Sequence, residues 1–146
     1  MKEIEKGIYI EDIYPGTLLA AVVTPKGILM IDAPPHPDDG RSWQAALRSI
    51  GTGSNRILTN LDAHPDRMLG NRAMNATIVA HEETARIAAL RSAIFKAQSQ
   101  ESGAEWEDCP GLSGIRWLLP SLMFTNHLII NWSDWEIIIE HHPGSE

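Results

Sequence analysis

The chain has 146 residues, 43% hydrophobic and 21% charged, which is the composition of one globular domain with a sizeable core. Nineteen acids against twelve bases give a formal charge of −7 with the bases scattered, which excludes a nucleic-acid-binding face and an anionic-membrane anchor and favours cation binding. The single cysteine cannot form an internal disulfide, the first residues lack the apolar core of a signal peptide, and no apolar run approaches the ~20 residues that span a bilayer, so a soluble cytoplasmic protein is expected.

Ile4, Ile8 and Ile10 fall on one side of an extended run over 4–10. The stretch "TLLAAVVTPKGILMIDAPP" reads as two strands reversed at Thr24-Pro25-Lys26-Gly27, because Pro at the second turn position and Gly at the fourth suit a tight hairpin. Trp43, Ala46, Leu47 and Ile50 then recur at helical spacing before Gly51, which predicts a helix lying over the sheet. The pattern repeats with a strand "RILTN", a polar loop in which Pro65 starts a helix, and a strand "ATIVAH". A long helix is expected from Glu82, with Ile87, Leu90, Ile94 and Ala97 as its apolar stripe. Such alternation implies parallel pairing within an α/β layer. Residues 99–114, rich in Ser, Gly and acids, read as a loop. The end, "HLIINWSDWEIIIEHHPGSE", predicts strand, Ser-Asp turn and strand.

Ligands of open α/β sheets sit beyond the carboxyl ends of the strands, so Asp32, Asp62, His64, Asp66 and His142 are the candidate site residues. Asp62 and His64 stand two apart in an extended segment and point the same way, while Asp66 follows where Pro65 begins a helix, an arrangement suited to a divalent ion. Each also has a plain structural reading. Asp66 can serve the helix N-terminal dipole, an effect of about 0.3–1 kcal/mol. Asp62 can be a turn acid, His64 a hydrogen-bonded loop histidine, and Asp32 a loop-organising acid, whose functional reading is instead support for the loop after Leu58. His141 and His142 alternate faces, and Ile137 and Ile139 share the face of His141, which leaves His142 as the functional candidate. His36, His81 and His127 show no partner spacing. Cys109 lacks the basic neighbour that would activate it, and "GTGSN" follows a helix where a phosphate loop would precede one.

The order "GIYIED", "YPGT", "GILMIDAP", "ILTNLDAHPDRMLGN", "ATIVAHEETA", "EIIIEHHPGSE" resembles the metallo-β-lactamase-fold hydrolases over nearly the whole chain. The resemblance implies an α/β fold, a layered mixed β-sheet with helices like the N-terminal half of the αββα sandwich, as a single domain 1–146 that is incomplete at its C-terminus. Half a sandwich leaves one apolar sheet face exposed, implying either a truncated chain or a homodimer. Family members carry His-x-His-x-Asp-His followed by Gly, commonly Gly-Asn. Anchored on Gly70-Asn71, His64 and Asp66 match, whereas Asp62 and Arg67 replace histidines. Asp62 retains oxygen ligands, but Arg67 is a permanent cation with no lone pair, which undermines the second metal position. A further family histidine follows a glycine, and here Gly144 precedes Ser145 and Glu146, leaving Glu146 or His142 as its stand-in.

Two functions follow. The resemblance implies a metal-dependent hydrolase of a small-molecule ester, thioester, amide or phosphoester. Asp62, His64, Asp66 and His142 would hold a divalent metal, zinc above all, with Asp66 as the catalytic residue acting on water, while a carboxylate-rich site drawing on Asp32, Asp62 and Asp66 would take Mg or Mn instead. The alternative is a non-catalytic, metal-free relative acting through a protein interface, in which Arg67 neutralises Asp62 or Asp66 and holds the loop without an ion.

Overall fold

The computed structural model describes residues 1–96 and 105–144. Its first four strands, β1 (Lys2–Glu5), β2 (Ile8–Glu11), β3 (Leu19–Val23) and β4 (Gly27–Ile31), pair antiparallel in chain order. The run over 4–10 is therefore two strands and not one, and the reversal sits at Gly7. That residue has φ +78°, and a Cβ on it would lie 2.9 Å from the Val23 carbonyl oxygen, so conformation and close approach both require glycine. The β3–β4 hairpin forms where Pro25 and Gly27 predict it. Thr24 Oγ1 closes its turn, accepting from the Lys26 and Gly27 N–H groups at 3.2 Å each.

From β4 onward the pairing is parallel, through β5 (Asn55–Thr59) and β6 (Thr77–His81) to β7 (Leu122–Phe124), giving one seven-stranded mixed sheet in the order β1 to β7. The edge strand β7 lies where the sequence showed no strand pattern. Helix α1 (Pro37–Ile50) joins β4 to β5. His36 caps it through Nδ1, which accepts from Asp38 N–H at 3.2 Å, and Asp38 and Asp39 at one end with Arg48 at the other complement the helix dipole. Trp43 and Leu47 of α1 bury against Leu19, Ala21, Ile28, Met30, Leu58 and Ile78 of the sheet. Full burial of such side chains stabilises by about 1.5–3 kcal/mol each, so this face holds the main core.

Helix α2 is one turn, Pro65–Met68, and α3 spans Glu82–Ala89, much shorter than expected. The apolar stripe predicted for α3 is also overturned. Thr84, Ala85 and Ala88 are buried, Ile87 and Leu90 are exposed, Ile94 lies beyond the helix, and Ala97 falls outside the described residues. The cause is phase. His81 ends β6 and also caps α3, its Nδ1 accepting from Glu83 N–H at 3.2 Å, so the strand exit dictates which helix face turns inward. Ala88 there joins a second cluster with Ala63, Met68, Leu69, Leu112 and Trp117.

Strands β8 (His127–Trp132) and β9 (Trp135–Glu140) turn at Ser133-Asp134 as predicted, with Ser133 at φ +56°. They form a separate two-stranded sheet and do not extend the large one. Leu128, Ile130, Trp132, Ile137 and Ile139 pack on Val22, Leu29 and Ile57, so the sheet face expected to be bare has its centre covered. Ile129 and Ile138 face outward. Of the predicted 99–114 loop, residues 99–104 lie outside the described residues, and Glu105–Asp108 make a 3₁₀ turn. Among the described residues no helix is long and apolar enough to cross a membrane.

Candidate functional site

The candidate loop lies beyond the carboxyl ends of β4 and β5, where the parallel part of the sheet begins. Asp32 leaves β4 in the left-handed region at φ +60°. Its N–H donates to the Thr59 carbonyl at 2.8 Å, and its Oδ1 accepts from Leu61 N–H at 3.0 Å. Asp32 is thus the acid that ties the two strand ends together, and its side chain is almost entirely buried. Burial pushes its pKa up to about 6, although the Leu61 N–H and the Arg67 guanidinium both pull it down.

Asp62 starts the loop proper. Its Oδ1 accepts from His64 N–H at 2.8 Å, closing an Asx turn, and also lies 3.0 Å from His64 Nδ1. Pro65 occupies the first position of α2, with His64 as a cap residue that makes no side-chain capping bond. Arg67 points back across the loop, its Nη1 being 3.1 Å from Asp62 Oδ2 and 3.6 Å from Asp32 Oδ2. Of the two partners foreseen for this guanidinium, Asp62 is correct, and the second is Asp32 where Asp66 was the other expectation. Asp66 sits half-buried in the first turn of α2. Burial raises its pKa, and the nearby Arg67 and His64 oppose that rise.

Two asparagines, Asn60 with no role in the sequence reading and Asn71 known there only as an alignment anchor, hold this loop to the sheet. Asn60 and Asn71 exchange side-chain bonds of 3.1 and 2.7 Å, and Asn60 Nδ2 also donates to the Arg67 carbonyl at 2.7 Å. The same carbonyl accepts from Ala33 N–H at 3.1 Å. The Gly70-Asn71 pair was the available signal, and Gly70 itself is packed so tightly that a Cβ would lie 1.9 Å from the Pro34 carbonyl oxygen.

The structure brings Asp32, Asp62, His64 and Arg67 together and leaves His142 outside that network. His142 Nε2 lies 3.2 Å from Glu140, and its ring is largely exposed. His141, just past the end of β9 and also exposed, stacks on His81 with ring centroids 3.7 Å apart. Glu146 lies outside the described residues.

A divalent ion fits this donor set poorly. Asp62 has one oxygen on His64 and the other on a guanidinium, and Arg67 offers donors only. Among the described residues, no three His, Cys, Asp or Glu side chains converge closely enough to hold a metal.

No family model matches the sequence, and no curated protein matches it. Solved structures do. A metallo-β-lactamase from Pontibacter korlensis aligns with 92% of this chain and 56% of its own at 16% identity and a TM-score of 0.61. The metallo-β-lactamase with a HARLDQ motif from Cronobacter sakazakii covers 90% of this chain and 50% of its own, at 14% identity and a TM-score of 0.61. For the metallo-β-lactamase of Hirschia baltica the figures are 90%, 55%, 14% and 0.55. The chain therefore spans about half the length of the solved structures it matches, and over that span it is built on the metallo-β-lactamase fold.

Proposed function

We propose that this domain keeps the metallo-β-lactamase fold but acts without a metal in its strand-end loop, serving as a non-catalytic module through a protein interface. The observation that carries this reading is the position of Arg67, 3.1 Å from Asp62 and 3.6 Å from Asp32. An ion on Asp62 would meet a permanent cation, and the single guanidinium charge, lying between the two carboxylates, already offsets one of their two negative charges. Surfaces for a partner, including a second copy of the chain, are the exposed apolar residues Leu122 and Met123 on the edge strand β7 and Ile129 and Ile138 on the outer face of β8–β9.

A second reading, a metal-dependent hydrolase of a small ester, thioester, amide or phosphoester, draws support from the fold and from one contact. Proteins of this fold generally bind divalent metals, zinc above all. Asp62 and His64 lie 3.0 Å apart at the strand ends, where a single ion would be held with Asp66 as the catalytic acid or base, and His142 would have to leave Glu140 to join them.

Elemental analysis of protein purified without chelator, alongside His64→Ala and Arg67→His, separates the two. The metal-free reading expects no stoichiometric metal in the native chain and zinc uptake by Arg67→His. Near-stoichiometric metal in the native chain that disappears in His64→Ala would overturn it in favour of the metal-dependent reading.

A further inference from the structure

A cavity of about 340 Å³ opens between the last turn of α3, the segment that follows it and the stretch before β7. Arg72, Arg91, Arg116 and Trp117 line it, with Ala88 and Ala89 forming part of its apolar wall. Three of the twelve basic residues thus meet at one cavity in a chain of formal charge −7. Among the described residues, no Asp or Glu lines it.

The arginines that pair with carboxylates are Arg41, Arg67 and Arg86. Among the described residues, Arg72, Arg91 and Arg116 have no carboxylate within ion-pair distance. Arg72 Nη2 donates to the Trp117 carbonyl at 3.3 Å, which fixes its direction without neutralising it. The Arg91 guanidinium lies 4.8 Å over the Trp117 ring, and its Nη1 is 4.0 Å from the Met68 sulfur. Burial lowers the pKa of Arg91, with Asp62 the acid whose field opposes this. Arg116 is exposed at the rim. Three arginines line one open space, and a group that accepts from their guanidinium donors offsets the hydration that Arg91 has lost there.

The occupant follows from this chemistry. Trp117 already gives one face to Arg91 and is itself buried, so little of its ring is open for stacking an aromatic ligand. Recognition is left to guanidinium forks, whose planar donors match the oxygens of a phosphate. The volume is at the small end of the ~300–1,000 Å³ usual for ligand sites, enough for a phosphate with a short organic group against the alanine wall. We propose that Arg72, Arg91 and Arg116 form a phosphate site, taking free phosphate or the phosphoryl group of a small phosphomonoester. This site is separate from the Asp62–Arg67 loop and does not depend on how that loop functions.

The test is calorimetric titration of the full chain with inorganic phosphate and with glycerol 2-phosphate, ionic strength held constant with chloride. Saturable one-site binding is expected, weakened about tenfold or more by Arg116→Ala and also weakened by Arg72→Gln. Arg41→Ala, which removes an exposed α1 arginine paired with Asp38, should leave it unchanged. Tighter binding of the ester assigns the site to phosphomonoesters, and equal binding assigns it to free phosphate. Absence of saturable binding, or an Arg116→Ala protein that melts like the native chain and binds phosphate equally well, would overturn the proposal.

Discussion

Replacing Asp32 with asparagine should change how stability depends on pH. Burial raises the pKa of this carboxyl from the ordinary 3.8 to about 6. At 1.36 kcal/mol per pH unit, folding around the ionised group costs about 3 kcal/mol more than folding around the protonated one. The direction follows from proton counting. Below the unfolded value both states hold the proton and there is no penalty. As pH rises through the interval between the two values, the folded state keeps a proton that the unfolded state has lost, so stability falls, and above about 6 the whole penalty is present. Asparagine tolerates the φ of +60° at this position, its side-chain oxygen can still accept from Leu61 N–H, and it has nothing to ionise. Urea denaturation followed by tryptophan emission, repeated from about pH 4 to about pH 7, should show the mutant gaining about 3 kcal/mol on the native chain across that range. The Arg67 attraction acts only on the ionised carboxylate and is already contained in the value of about 6, so its loss adds no further pH dependence. Parallel curves for the two proteins would refute the claim that a buried, ionised Asp32 holds the strand ends.

Gly70→Ala drives a Cβ to 1.9 Å from the Pro34 carbonyl oxygen, backbone against side chain with no flexible end to yield. A loss above about 3 kcal/mol is expected, seen as a fall in Tm of about 10 °C by calorimetry. The hairpin faces are separable by one residue. Ile137→Lys puts a charge against Leu29 and Val22 and should unfold the β8–β9 packing, whereas Ile138→Lys on the outer face should stay within about 0.5 kcal/mol of the native chain in urea titration.

The elements most legible in the sequence were those whose local chemistry is decisive. Pro25 and Gly27 placed the first hairpin, the Trp43–Leu47 spacing placed α1, and strand–helix alternation predicted the parallel pairing of β4, β5 and β6. The resemblance added the layering and the position of the loop. What escaped was set by distant partners. Helix α3 shows apolar residues at helical spacing, yet its phase is dictated by His81, which serves strand and cap at once, and so the alanines face inward. β7 is a three-residue edge whose identity comes only from pairing with β6. The hairpin β8–β9 was recognisable as a hairpin, but periodicity could not say whether it joins the sheet or covers it. At the loop, the sequence showed the charges of Asp62, Asp66 and Arg67, and only the fold could supply Asp32, 35 residues before Arg67 in the chain, as the second partner.

The order of the large sheet also bears on how the chain folds. Every strand from β2 to β7 lies beside its immediate predecessor, so each finds a partner already made when it is synthesised. Closure distances stay short for the early hairpins and grow only with the crossovers, which keeps the entropy of loop closure low while the first strands assemble. A chain emerging from the ribosome N-terminus first can therefore add strands at one growing edge. The covering hairpin, whose contacts reach back from Ile130 to Leu29, is the step that waits for a finished surface.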